Sequence, residues 1–131
     1  MATEEIVYLT YLEAVEHHFD LMLKCGEIRF GIDSPDLIKS ALARPQQAAF
    51  YEKADVIRQA ATLCFGLIKN HPWQGGNKRT ATHLTRIFLQ LNGFRIVYEL
   101  VEIVELVLNV ESDVWKVDEI ENWLRERVEK I

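Results

Sequence analysis

The sequence predicts an all-α fold, a bundle of five to six helices with a small β-hairpin, from three observations. Apolar residues recur at helical spacing in segment after segment. Helix-start signals stand where those segments begin: Thr10 three residues before Glu13, and Ser34 directly before Pro35. Strand-like alternation is weak and confined to one stretch, Phe94 to Tyr98. At 131 residues the chain can bury its own core, so residues 1–131 read as a single domain.

The elements follow in order. The Thr10 capping box opens a helix with Leu12, Val15, Phe19, Met22 and Leu23 on its inner face. Gly26 to Ile32 reads as a loop. Ser34 and Pro35 start a short helix that runs to about Leu42. Arg44 to Glu52 contains Pro45 and lacks caps, which predicts a loop or short hairpin. Ile57, Ala60, Ala61, Cys64, Leu67 and Ile68 mark a central helix whose alanines allow close packing. A further helix is expected from about Asn77 to Asn92, with Ala81, Leu84, Phe88 and Leu91 inward and Gly93 as its stop. Leu100, Ile103, Val104 and Val107 predict another. Val117, Ile120, Trp123, Leu124 and Val128 predict the last, with Asp118 and Glu119 suited to its first turn.

Composition removes several function classes. The net charge of −5 argues against a broad basic surface for nucleic acid. Cys25 and Cys64 lie apart, without metal-ligand spacing, and read as buried free thiols. The first ten residues carry acids and no apolar run of signal length, and no stretch is long enough for a membrane span. No nucleic-acid or membrane partner is expected, and a cytoplasmic location is.

The chemistry concentrates in His71-Pro72-Trp73-Gln74-Gly75-Gly76-Asn77-Lys78-Arg79-Thr80. Two glycines precede a helix start, where unpaired N–H groups and the helix dipole attract anions. Two cations stand beside that anion site and a histidine stands before it. Histidine is the side chain that can take a proton near neutral pH. A base, an anion cradle and cations are the parts needed to move a phosphoryl or nucleotidyl group onto a hydroxyl. Bland readings exist for each part. The glycines can serve a turn, the cations can be solvated surface charges, and His17, His18 and His83 read as surface or satisfied groups. Trp73, Trp115 and Trp123 read as core. The string is not a phosphate-binding loop of the GxxxxGK[ST] type, because neither Ser nor Thr follows the lysine and no strand precedes it.

The string from His71 to Ala81 resembles the signature of the Fic/Doc family, H-P/x-F-x-D/E-G/A-N-G/K-R, and its Asn-Lys-Arg-Thr-Ala ending resembles the Doc (death-on-curing) toxin branch. The Thr10 and Ser34 helices, the stretch Ser40–Gln46 and the Asn92-Gly93 stop resemble that branch too, so the likeness covers most of the chain. It implies an all-helical Fic fold and ATP-dependent modification of a Ser, Thr or Tyr hydroxyl on a target protein, in the translation machinery for this branch. It implies His71 as the general base and phosphate held by Gly75, Gly76, Asn77, Lys78 and Arg79. Lys78, where AMP-transferring members carry glycine, leans toward phosphoryl transfer. So does Thr82, which occupies the place of those members' second arginine. Arg44 to Glu52 would be the flap, with Arg44, Gln46, Gln47, Ala48 and Tyr51 binding the target segment along a hairpin edge.

One residue departs from the family pattern. Gly75 stands where the family has the acid that anchors Mg²⁺. No metal ligand is obvious in the motif, so Mg²⁺ is expected to be weakly anchored by the nucleotide, Asn77 and water. Alternatively a distant acid such as Glu52 or Asp55 supplies the ligand, or catalysis has been lost. Gly75→Asp is expected to tighten metal–nucleotide binding or raise activity. Three functions follow: a Doc-like phosphoryl transferase, an AMP transferase of the same fold, or a catalytically silent binding module. The family's inhibitory pattern S/T-x-x-x-E-G/N is missing, since Val117 stands four residues before Glu121-Asn122. A separate antitoxin chain that inserts an amphipathic segment is therefore expected.

Overall fold

A computed structural model describes residues 5–131. The first four residues, part of the stretch read for signal character, lie outside the described residues. Six helices run in the order α1 (Tyr11–Lys24), α2 (Pro35–Glu52), α3 (Val56–Asn70), α4 (Asn77–Leu91), α5 (Leu100–Glu111) and α6 (Val117–Arg125). Two short strands, β1 (Phe94–Ile96) and β2 (Val128–Lys130), pair antiparallel with Phe94 opposite Lys130 and Ile96 opposite Val128. This is the expected all-α bundle of six helices with one small sheet.

α3 is the hub. It packs against α2, α4, α5 and α6, and its expected stripe Ile57, Ala60, Ala61, Cys64, Leu67 and Ile68 is buried throughout. Asp55 caps its start by accepting the Arg58 N–H at 2.9 Å. The Thr10 capping box forms as expected, with bonds of 3.1 and 2.9 Å in its two directions. Ser34 caps α2 through the Leu37 N–H.

α2 corrects the expected loop. Arg44 to Glu52 is the second half of a continuous helix, and Pro45 lies inside it. Proline removes one helical bond and costs roughly 3 kcal/mol in a helix interior. Ile38, Ala41, Pro45 and Ala48 are all buried at helical spacing, and α2 and α3 make the most extensive helix pair in the fold. Burial of that stripe offsets the lost bond. The expected hairpin at this place does not form; the small sheet joins β1 to β2 instead.

Two helices, α1 and α5, turn a different face inward from the expected one, and α4 differs at a single residue. On α1 the buried residues are Ala14, His18 and Met22, while Leu12 and Leu23 are 70% and 65% exposed. Small Ala14 lets the helix approach closely, and His18 is fully hydrogen-bonded, so the buried stripe runs through them. α5 is apolar on nearly every side, so its pattern fits any rotation. Leu106, Val107 and Val110 go inward and Leu100 and Val104 stay exposed. On α4, Leu89 is buried in place of Leu91. Val128 belongs to β2 rather than to the last helix, because the free edge of β1 offers it backbone partners. Cys64 is buried, but Cys25 is exposed, since it caps the end of α1 beyond the packed turn.

Candidate functional site

The loop from His71 to Gly76 joins the end of α3 to the start of α4, and its backbone is fastened on three sides. Pro72 O accepts the N–H groups of Asp33 and Ser34, both at 3.0 Å, and Gly31 O accepts Gln74 N–H at 2.9 Å. Ile32 and Trp73 form an isolated β-bridge. The Asn77 amide clasps Trp73 at both ends, accepting its N–H and donating to its C=O, each at 2.9 Å. Trp73 itself is buried and stacks on His18 with ring centroids 4.1 Å apart. It anchors the loop as the expected core reading required.

His18 ties this anchor together. Its Nε2 accepts the Gly31 N–H at 3.2 Å, so the neutral ring carries its proton on Nδ1 and donates it to Thr80 Oγ1 at 2.8 Å. Burial pushes the His18 imidazole down to about 4. Unfolded, the same ring takes up a proton below its ordinary value of 6.5. The unfolded state therefore binds more protons between those values, and stability is lost as pH falls from about 6.5 towards 4. The loss from His18 reaches about 3 kcal/mol at the acid end. Urea unfolding at pH 7, 5.5 and 4.5 is expected to show this decline, and His18→Phe to flatten it. The flattening is partial because His83 is also held down to about 4, by burial first and then by Arg86, His17 and Lys24. An unchanged pH slope in the Phe variant would remove His18 from the account.

The candidate groups of the motif stand at the two ends of the loop. His71 caps α3 in the left-handed region at φ 47°, with its side chain 54% exposed. Gly76 caps α4 at φ 64° and offers no side chain to the helix start. The first intrahelical bond is Thr80 N–H to Gly76 O, so the N–H groups of Asn77, Lys78 and Arg79 are free to meet an anion. Gly75 is required by space, and Gly76 by its left-handed backbone. A Cβ on Gly75 would run into the Arg29 carbonyl oxygen, and one on Gly76 would run into Met22.

Both motif cations hold acids. Arg79 Nη1 lies 3.2 Å from Glu27 Oε1, and Lys78 Nζ lies 3.2 Å from Glu111 Oε1. The second oxygen of Glu111 is 3.7 Å from His71 Nε2. One carboxylate thus faces both His71 and Lys78, which places the His71 ring beside the start of α4. These pairs are half-exposed and worth about 0–1 kcal/mol each, so an arriving phosphate can displace them.

A cavity of about 460 Å³ opens between α4 and α5 beside this point. Lys78, Arg79, Thr82, His83 and Arg86 form its polar wall. Leu100, Ile103, Val104, Val107 and Leu108 form the apolar wall. Thr82 turns its hydroxyl back onto the carbonyls of Lys78 and Arg79, while Arg86 holds His83 Nδ1 at 2.8 Å and leaves its own Nε without a partner.

The structure brings His71, Gly75, Gly76, Asn77, Lys78 and Arg79 together and makes the proposed flap part of a helix. Asn77 differs from expectation in one respect: its amide braces the loop, so its contribution to an anion is its backbone N–H. Arg44, Gln46, Gln47, Ala48 and Tyr51 lie on helical turns of α2, with no hairpin edge for a target to join. α2 runs antiparallel to α3, with its start bonded to Pro72, so its end lies near Asp55, about 20 Å along α3 from His71. Ala48 is buried in that packing and Arg44 lies over the Phe65 ring. Glu52 and Asp55 lie at this same far end. They pair with Arg58 and Arg125 at the far end of α3 and cannot serve the motif.

Sequence reasoning missed Glu27 and Glu111, and it allowed His18 as a satisfied group without placing it beneath the motif loop. Glu27 and Glu111 are acids outside any motif, and only the fold brings them to the loop. The donor set fits phosphate, through three free N–H groups and two cations. It does not fit a metal held by protein alone: position 75 has no carboxylate, and no group of three His, Cys, Asp or Glu side chains comes together among the described residues. No described helix is long and apolar enough to cross a membrane.

Comparison with known proteins gives two matches. A model of the Fic/DOC family matches residues 3–89, well over half of the chain. A protein named Toxin Doc from Mycolicibacterium smegmatis is 35% identical over 81 residues. That match takes in 57% of this chain and 62% of the relative, so the chain spans less than two thirds of that protein's length.

Proposed function

This chain belongs to the Fic/DOC family, and from that premise we propose that it is a Doc-like toxin that transfers a phosphoryl group from ATP to a hydroxyl of a target protein. The observation that carries the proposal is the shared carboxylate: His71 and Lys78 both reach Glu111, so a base stands beside an anion site. In this reading the N–H groups of Asn77, Lys78 and Arg79 hold phosphate oxygens at the start of α4. Arg79 leaves Glu27 to pair with phosphate. His71 takes the proton of the target hydroxyl as its oxygen attacks phosphorus. Mg²⁺ would come with the nucleotide, its remaining sites filled by water.

AMP transfer is the second reading, and one observation favours it. Arg86 reaches the cavity two turns along α4 from Lys78 and can supply the second cation that Thr82 lacks. Incubating the protein with ATP and a bacterial lysate, followed by mass spectrometry, separates the two. A phosphate adduct on a target hydroxyl is expected. An AMP adduct would shift the assignment to the second reading, and no adduct at all would leave a silent binding module.

The partner proposed with this function is an antitoxin chain. The cavity has an apolar wall with Leu100, Val104 and Leu108 at 75%, 47% and 57% exposure and a basic wall facing it. An amphipathic segment carrying acids matches both walls and would cover Lys78 and Arg79. Expression of this chain alone in a bacterial host is expected to arrest growth. Unimpaired growth at a verified level of folded protein would count against the toxin reading.

A further inference from the structure

Glu111 is the last residue of α5 and lies outside the motif. Its carboxylate faces both halves of the motif, with His71 Nε2 3.7 Å from one oxygen and Lys78 Nζ 3.2 Å from the other. The three residues come from the ends of three different helices. Glu111 is the most enclosed of them, with its side chain 24% exposed against 54% for His71 and for Lys78. The end of α5 is itself pinned, because Asp113 pairs with Lys69 of α3 at 2.5 Å. Among the described residues Glu111 is the one acid paired with His71.

We propose that Glu111 is the positioning residue of His71, a role that rests on the base function argued above. A histidine base needs a proton on one ring nitrogen and a lone pair on the other. A carboxylate beside Nε2 favours the proton there, because an N–H can donate to it whereas a lone pair would meet its negative charge. Nδ1 is then the acceptor. Lys78 holds the carboxylate in place and offsets its charge where phosphate must approach. At 3.7 Å the His71 contact is longer than a hydrogen bond, as catalytic contacts often are before substrate binds. In the transfer step a bond forms from the target hydroxyl oxygen to phosphorus. The phosphorus–oxygen bond to the leaving nucleotide breaks, and the hydroxyl proton passes to Nδ1. The resulting imidazolium has Glu111 as its counter-charge.

The ring can be observed directly, without nucleotide or activity, by nitrogen NMR of protein labelled in its histidines. His71→Gln assigns the signals. In the native protein Nε2 is expected to report an N–H and Nδ1 a lone pair. Glu111→Gln offers the ring both an acceptor and a donor, so both signals should move toward exchange-averaged values. If the transfer activity is present, the same variant should lower kcat roughly 10–100-fold. The KM for ATP should not rise, and the melting temperature should hold. Ring signals indifferent to Glu111→Gln would overturn the proposal, active protein or not. So would a loss of kcat matched by a loss of folding, which would make the pair a structural strut. The predicted ring signals in a protein that modifies nothing would uphold the role of Glu111 and count against the transferase reading alone.

Discussion

His71→Ala is expected to abolish target modification while the fold survives. General-base catalysis contributes about 10²–10⁴-fold, so the loss should exceed any assay scatter. The side chain is half-exposed, so its removal opens no buried cavity. The backbone needs more care. His71 sits in the left-handed region at φ 47°, where asparagine, aspartate and histidine are better tolerated than alanine. His71→Asn therefore serves as the companion variant. It keeps the helix stop and removes the base. Loss of modification in both, with native unfolding behaviour in the Asn form, is the outcome that supports the role. Native rates from either variant would remove His71 from the chemistry.

The parts of this protein that were legible in its sequence are those whose cause is local. The Thr10–Glu13 box, the Ser34–Pro35 start and the Gly93 stop are each written within a few residues, and each forms. The motif is contiguous, so one loop and one helix start deliver it whole. The α3 stripe was legible because four helices, α2, α4, α5 and α6, pack against that helix and bury it.

What the sequence hid depends on partners far away along the chain. His18 goes inward because Gly31 and Thr80 satisfy its ring, and no periodicity argument credits a polar residue with a core position. α5 can bury any of several apolar faces, and the neighbours alone choose one. Pro45 was read as a breaker because its local cost is plain, whereas the compensating α2–α3 stripe uses alanines that carry little apolar signal. Glu111 is one acid among many until α5 docks on α3. The flap expectation failed with Pro45, since a hairpin requires the helix to end there.

Gly75→Asp is expected to destabilise the protein and suppress its activity, which reverses the gain predicted from the sequence. A missing metal ligand is not the only thing that position 75 decides. Gly75 has no positive φ. The obstacle is space: a Cβ there would meet the carbonyl oxygen of Arg29, which is backbone and cannot swing away. Either the loop of Gly26 to Ile32 or the motif loop must shift. They are laced by the Gln74–Gly31 and Pro72–Asp33 bonds, so movement of one strains both. Forcing extra atoms into packed structure costs about 1–3 kcal/mol. Misplacing a reactive group by about 1 Å can cost on the order of 10²-fold in rate. Gly75→Ala isolates the steric part, because it adds the Cβ without the carboxylate. Both variants should unfold at lower urea than the native chain, and both should lose activity, with Asp gaining nothing from added Mg²⁺. A Gly75→Asp protein as stable as the native one and more active at low Mg²⁺ would show that the loop yields and that the acid can be restored.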